Sequence, residues 1–137
     1  DNKGELSLFE SEIKKINECI NTISTFRKQN KFSMVIIDEL CSGTNNSEGS
    51  EISYSIAKFL GTINSNISII TTHLQKLSTL EKNTKTYKNY KMDIHINKDN
   101  SVKYTYSCVK GISNVKLAKN ILKKFEINNF ILEDLES

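Results

Sequence analysis

An α/β fold is predicted by three features of this sequence. Two near-continuous apolar runs rich in β-branched residues, 33–40 and 67–72, have the length and composition of strands in a parallel sheet covered on both faces. Between them, residues 48–60 repeat apolar side chains at helical spacing. Beyond residue 88 the pattern changes to strict alternation, the mark of an antiparallel hairpin with one face in water.

Taken in order, the elements begin with a helix over about 8–27, where Leu6, Phe9, Ile13, Ile16, Ile20 and Ile23 form one stripe. Ser7-Leu8-Phe9-Glu10 fits a capping box at its start, with Ser7 as the N-cap. The first strand follows over 33–40. A second helix over 48–60 is expected to bury Ile52, Ile56, Phe59 and Leu60, with Gly61 placed to end it. The second strand runs into His73, and strand, helix, strand implies a right-handed βαβ crossover. The polar run 81–88 reads as an exposed loop. Tyr90, Met92, Ile94 and Ile96 then alternate with polar residues, as do Val102, Tyr104, Tyr106 and Cys108, and Asn97-Lys98-Asp99-Asn100 supplies the turn of a hairpin over about 88–108. Val115, Leu117, Ala118, Ile121, Leu122 and Phe125 mark an amphipathic helix, and a short last helix extends the helical region to about 112–135. No linker or repeat divides the chain, so it reads as one partial domain over 1–137.

Composition excludes several classes. With 137 residues, 37% hydrophobic and 26% charged, the chain is neither disordered nor membrane-spanning, and no apolar stretch approaches the roughly 20 residues a bilayer span requires. An intracellular protein is expected. Three scattered cysteines without a CxxC pair argue for reduced thiols over a disulfide framework or zinc site. A net charge of +3 is too mild to indicate nucleic-acid binding by itself.

The first apolar run stops on Asp38-Glu39, and the second leads into Thr72-His73. Ligands of α/β sheets lie at the carboxyl ends of parallel strands, where all of these residues fall. Four apolar residues followed by Asp-Glu is the pattern of a Walker B segment, whose aspartate holds magnesium through water and whose glutamate polarises the attacking water. Taken alone, the pair reads more simply as strand ends that face solvent or cap the next helix.

The order of neighbours decides between these readings. Ser7-Leu8-Phe9-Glu10-Ser11-Glu12 opens the first helix, Asp38-Glu39 ends a strand, Gly43-Thr44-Asn45-Asn46-Ser47-Glu48-Gly49 follows, and Thr72-His73 ends the next strand. This order resembles the C-terminal half of the ATPase domain of the MutS family, the mismatch-recognition branch of the ABC ATPases. Ser7, Phe9 and Glu12 match the family's signature helix; Asp38 and Glu39 match its acid pair; Gly43, Thr44, Glu48 and Gly49 match its loop; Leu77 and Lys110-Gly111-Ile112-Ser113 match later positions. Leu8 departs from the signature, Cys41-Ser42 stands where Gly-Arg is usual, and Asn114-Val115 replaces an aromatic and a glycine.

The resemblance implies the C-terminal part of an ABC-type P-loop NTPase domain, with ATP and Mg2+ as cofactors. Asp38 would anchor the metal, Glu39 would activate water and His73 would sense the γ-phosphate. Ser7 would reach the γ-phosphate of a second MutS-like subunit, in a homodimer or heterodimer, and Gly43, Thr44 and Asn45 would form the loop that communicates across it. DNA would be held by other domains of the parent. No G-x-x-x-x-G-K-[ST] loop occurs in the chain, so the Walker A element is expected elsewhere in a longer protein and this segment alone is expected to be inactive. The alternatives are a non-catalytic dimerisation module, another DNA-repair or chromosome-organising ABC ATPase, whose longer glycine-rich signature Gly4-Glu5-Leu6-Ser7 does not match, and more distantly a carboxylate metal hydrolase. His95 reads as a surface residue, Cys41 as a small packed thiol, and Lys116, Lys119, Lys123 and Lys124 as a solvated helix face.

Overall fold

A computed structural model describes residues 2–41 and 46–113, so Gly43, Thr44, Asn45 and the helices expected over 112–135 lie essentially outside the described residues. The chain divides into two compact units, 1–88 and 89–137.

The first unit opens with α1 (Asn2–Lys28). Its stripe forms as the spacing predicts: Phe9, Ile13, Ile16, Cys19, Ile20 and Ile23 all pack into the core. The helix ends without glycine. Asn30 takes a left-handed φ of 54°, its N–H reaches Arg27 O at 3.0 Å, and the Lys31 N–H reaches Phe26 O at 2.8 Å, the paired bonds of a Schellman end. At the other end the capping-box expectation is corrected. Ser7 lies inside α1, because Glu5 and Leu6 are good helix formers and no proline or charge clash stops the helix before it.

The parallel strands β1 (Ser33–Asp38) and β2 (Asn66–Thr71) pair in register from Ser33 opposite Asn66 to Asp38 opposite Thr71. On β1, Ser33 and Val35 are buried and Ile37 half-buried, while Met34 and Ile36 are 59% and 69% exposed. Ile67 and Ile69 of β2 are exposed as well. The expectation of a strand covered on both faces is therefore only half met. An apolar run records that both faces carry apolar side chains, whereas the described residues supply a layer on one.

That layer includes α2 (Asn46–Leu60), which makes the crossover. Its buried positions are Gly49, Ser53, Ala57 and Leu60, and Phe59, expected inside, is exposed. Small side chains at the contact let the helix approach closely and rotate Phe59 outward. Gly61 follows α2, yet its φ is not left-handed; its role is space, since a Cβ there would meet the Tyr87 ring at 2.7 Å and Thr86 Oγ1 at 2.8 Å. Tyr87 is fixed in place by donating its hydroxyl to Ala57 O at 2.6 Å.

After β2 come α3 (Gln75–Ser78) and α4 (Leu80–Thr84), the second of which runs into the stretch 81–88 that the sequence reads as an exposed loop. These helices are too short to show a period. Burial of Leu77 and Leu80 holds them, together with a Lys76–Glu51 ion pair to α2. Among the described residues the core forms two clusters: Leu40, Cys41, Ala57, Leu77 and Leu80 in one, and Ile23, Val35, Leu60 and Ile63 in the other.

The second unit contains the expected hairpin, β3 (Tyr90–Ile96) and β4 (Val102–Lys110), paired antiparallel around a turn at Asn100, φ 62°. The register shifts between Met92 and Ile94, opposite Tyr106 at φ 57°, a bulge that turns the Tyr106 ring into solvent. Contrary to the single wet face expected, Tyr90, Met92, Ile96 and Tyr104 are also exposed. No helix among the described residues is long and apolar enough to cross a membrane.

Two glycine substitutions separate space from propensity. Gly61→Ala is expected to destabilise the chain by about 1–3 kcal/mol, because the Tyr87 ring cannot yield without losing its bond to Ala57. Gly4→Ala, on a helical site with nothing within 4 Å of the added methyl, is expected to be neutral or to stabilise by up to about 1 kcal/mol. Urea unfolding midpoints of the two variants would check both signs.

Candidate functional site at the strand ends

Two adjacent parallel strands that end level bring the residues after them into one place. Asp38 closes β1 and lies opposite Thr71, the last residue of β2. The Thr71 hydroxyl donates to Asp38 Oδ1. The Thr71 hydroxyl oxygen in turn accepts the Glu39 N–H at 3.1 Å, a proton shared with the Thr71 carbonyl, also at 3.1 Å.

Past Asp38 the chain leaves the sheet through a corner that L-residues resist. Glu39 and Cys41 adopt φ of 53° and 58°, a left-handed conformation that costs about 1–3 kcal/mol at each non-glycine position. The corner is held from inside. Leu40 and Cys41 are buried in the core, and Ser53 of α2, itself fully buried, donates its hydroxyl to Leu40 O at 2.8 Å. With the residues on its C-terminal side anchored, Glu39 stands out at the rim.

His73, two residues beyond β2, meets it there: Nδ1 lies 3.4 Å from Glu39 Oε1, with both side chains well exposed. Screening by water makes this contact a minor contributor to stability. Its value is positional. It places an acid and an imidazole side by side, and among the described residues no hydrogen bond engages the other ring nitrogen. Thr72 shapes the approach by accepting the Leu74 N–H on its hydroxyl at 2.9 Å.

The structure thus places Asp38 and Glu39 at the end of β1, with His73 beside Glu39 on an exposed rim. Ser7 is exposed in the second turn of α1 and not at its N-cap, and among the described residues no hydrogen bond joins it to the acid pair. Gly43, Thr44 and Asn45 fall outside the described residues. Two contributors escaped the sequence reading. Thr71 could have been found by aligning the two apolar runs at their ends, and Ser53 by noting a hydroxyl between Gly49 and Ala57 on a buried helix face. Cys41 is a packed thiol as expected: burial pushes its pKa up, the Ser53 hydrogen bond opposes this, and the charge of Glu12 adds to the rise. His95 is exposed.

A hard-oxygen pair with a neighbouring hydroxyl suits a cation that keeps most of its water. Among the described residues no group of three or more His, Cys, Asp and Glu side chains could enclose a metal. Such a donor set fits Mg2+, which is commonly held by one or two carboxylates and completed by water and phosphate oxygens, and does not fit a zinc cage.

A family model described as MutS domain V matches residues 4–134. An Endonuclease MutS2 from Caldanaerobacter subterraneus is 31% identical over 117 residues, 85% of this chain and 14% of that protein. A DNA mismatch repair protein MutS from Aquifex pyrophilus is 28% identical over 96 residues, covering 70% of this chain and 11% of that protein. Another Endonuclease MutS2, from Staphylococcus saprophyticus, is 28% identical over 132 residues, 96% of this chain and 16% of its own length. The chain therefore spans less than a fifth of these curated relatives.

Removing the internal support of the corner has a defined cost. Ser53→Ala strands a buried carbonyl at Leu40 and is expected to destabilise by about 1–3 kcal/mol, measured by urea unfolding.

Proposed function

The chain belongs to the MutS family, and from that premise we propose that it is the acid-bearing part of an ATPase domain in a longer DNA-repair protein. The observation that carries this reading is the meeting of Asp38, Glu39 and His73 at the ends of neighbouring parallel strands. ATP is the proposed nucleotide and Mg2+ its metal, and the bound ion supplies neutralisation of charge on the phosphates.

The chain's own residues divide the work. Asp38 would hold the magnesium ion with its carboxylate, one oxygen of which accepts the Thr71 hydroxyl. Glu39, a carboxylate projecting into solvent from a braced corner, accepts a hydrogen bond from the attacking water and orients it. His73 donates to a phosphate oxygen from the nitrogen that does not face Glu39. A phosphate-cradling loop is supplied by another part of the parent, since no G-x-x-x-x-G-K-[ST] sequence occurs here.

A second MutS-like subunit, identical or related, completes the site in this reading. By the family resemblance, Ser7 and the loop residues Gly43, Thr44 and Asn45 would contribute to contact with that subunit, so that nucleotide binding would draw two domains together and hydrolysis would release them. DNA is engaged by other domains of an intracellular parent.

In the full-length protein, Glu39→Gln is expected to lower ATP turnover by at least about a hundredfold while ATP still binds. Asp38→Asn is expected to weaken the magnesium dependence of binding, followed by isothermal titration. Turnover unchanged by Glu39→Gln would remove the catalytic role, and nucleotide binding indifferent to magnesium would favour a dimerisation module.

A further inference from the structure

We propose that Thr71 is a positioning residue for the acid pair: its hydroxyl ties the Asp38 carboxylate to the Glu39 backbone across the two strands and thereby sets the grip on a magnesium–nucleotide complex. The inference rests on the ATPase reading above and adds a residue to it.

A threonine hydroxyl has one proton to give and lone pairs to receive with. Here the proton goes to Asp38 Oδ1 and a lone pair takes the Glu39 N–H at 3.1 Å, so one oxygen atom touches both acids. The first bond fixes the rotation of the carboxylate and leaves Oδ2 to face a hydrated cation. The second stabilises Glu39 at its left-handed φ of 53°, the conformation that points its carboxylate toward His73 at 3.4 Å. Thr71 is also two residues upstream of His73 on the same chain segment, so a shift of the β2 end would move all three groups together. Partners that orient a metal-holding carboxylate without touching the metal commonly govern affinity and rate.

Strand pairing does not depend on this hydroxyl. The Thr71 carbonyl independently accepts the Glu39 N–H at 3.1 Å, and valine keeps the β-branched shape that suits a strand end. Thr71→Val therefore deletes the tie and leaves the sheet.

The test uses the full-length protein. Mn2+ affinity is read by electron paramagnetic resonance titration in the presence of a non-hydrolysable ATP analogue, beside steady-state turnover. Thr71→Val is expected to weaken Mn2+ binding about tenfold and to lower kcat about tenfold, with KM for ATP within about twofold of the parent value. Thr71→Ser, which keeps the hydroxyl, is expected to recover both quantities to within about threefold. A purely structural threonine would lower the unfolding temperature and leave metal affinity unmoved; that result, or failure of serine to rescue, overturns the proposal. Turnover that survives both Asp38→Asn and Glu39→Gln overturns the ATPase reading and the role of Thr71 with it. Loss of turnover in those two variants, alongside Thr71→Val behaving as the parent, overturns the positioning role alone.

Discussion

In-register pairing of two parallel strands of six residues is the constraint on which the candidate site depends. Parallel strands point their carboxyl ends the same way, so residues that follow them emerge together only if the register leaves both ends level. Here Asp38 and Thr71 are partners, Glu39 follows Asp38 directly, and His73 comes two residues after Thr71. Slippage by one residue would also turn Val35 outward and Ile36 inward, exchanging the faces of the strand. The core that buries Val35 thus sets the register, and the register sets the site.

Two helices enforce that arrangement from one side. The crossover helix α2 lies close because its contact face is Gly49, Ser53, Ala57 and Leu60, and α1 contributes a stripe that reaches both core clusters. Buried Ser53 links packing to the site: it sits in the helix face yet bonds the carbonyl of Leu40. The left-handed corner at Glu39 and Cys41 persists because Leu40 and Cys41 are buried and because Ser53 and Thr71 satisfy polar groups on either side of the turn.

Much of this was readable in advance for a physical reason. Long amphipathic stripes and β-branched runs carry periodic signals, so α1, β1, α2, β2 and the hairpin fall close to their expected positions. Short helices carry no period, and α3 and α4 exist through the burial of Leu77 and Leu80. Capping signals compete with propensity, and at Ser7 propensity prevailed. Side-chain facing near the limits of a helix stripe is decided by approach distance, which is why Phe59 lies outside and Ala57 inside.

The sequence by itself determined the strand and helix periods, the acid pair at a strand end, the histidine after the next strand and the order of motifs that marks the family. These are local or ordinal properties, carried by spacing along one chain. Only the tertiary structure decided that the Thr71 oxygen bridges Asp38 and Glu39, that Ser53 supports the corner from within the core, and that Glu39 leaves the sheet in a left-handed turn. Each of those depends on atoms from segments far apart in sequence, and a hydrogen bond between them exists only once the sheet register and the α2 contact have fixed where both segments lie.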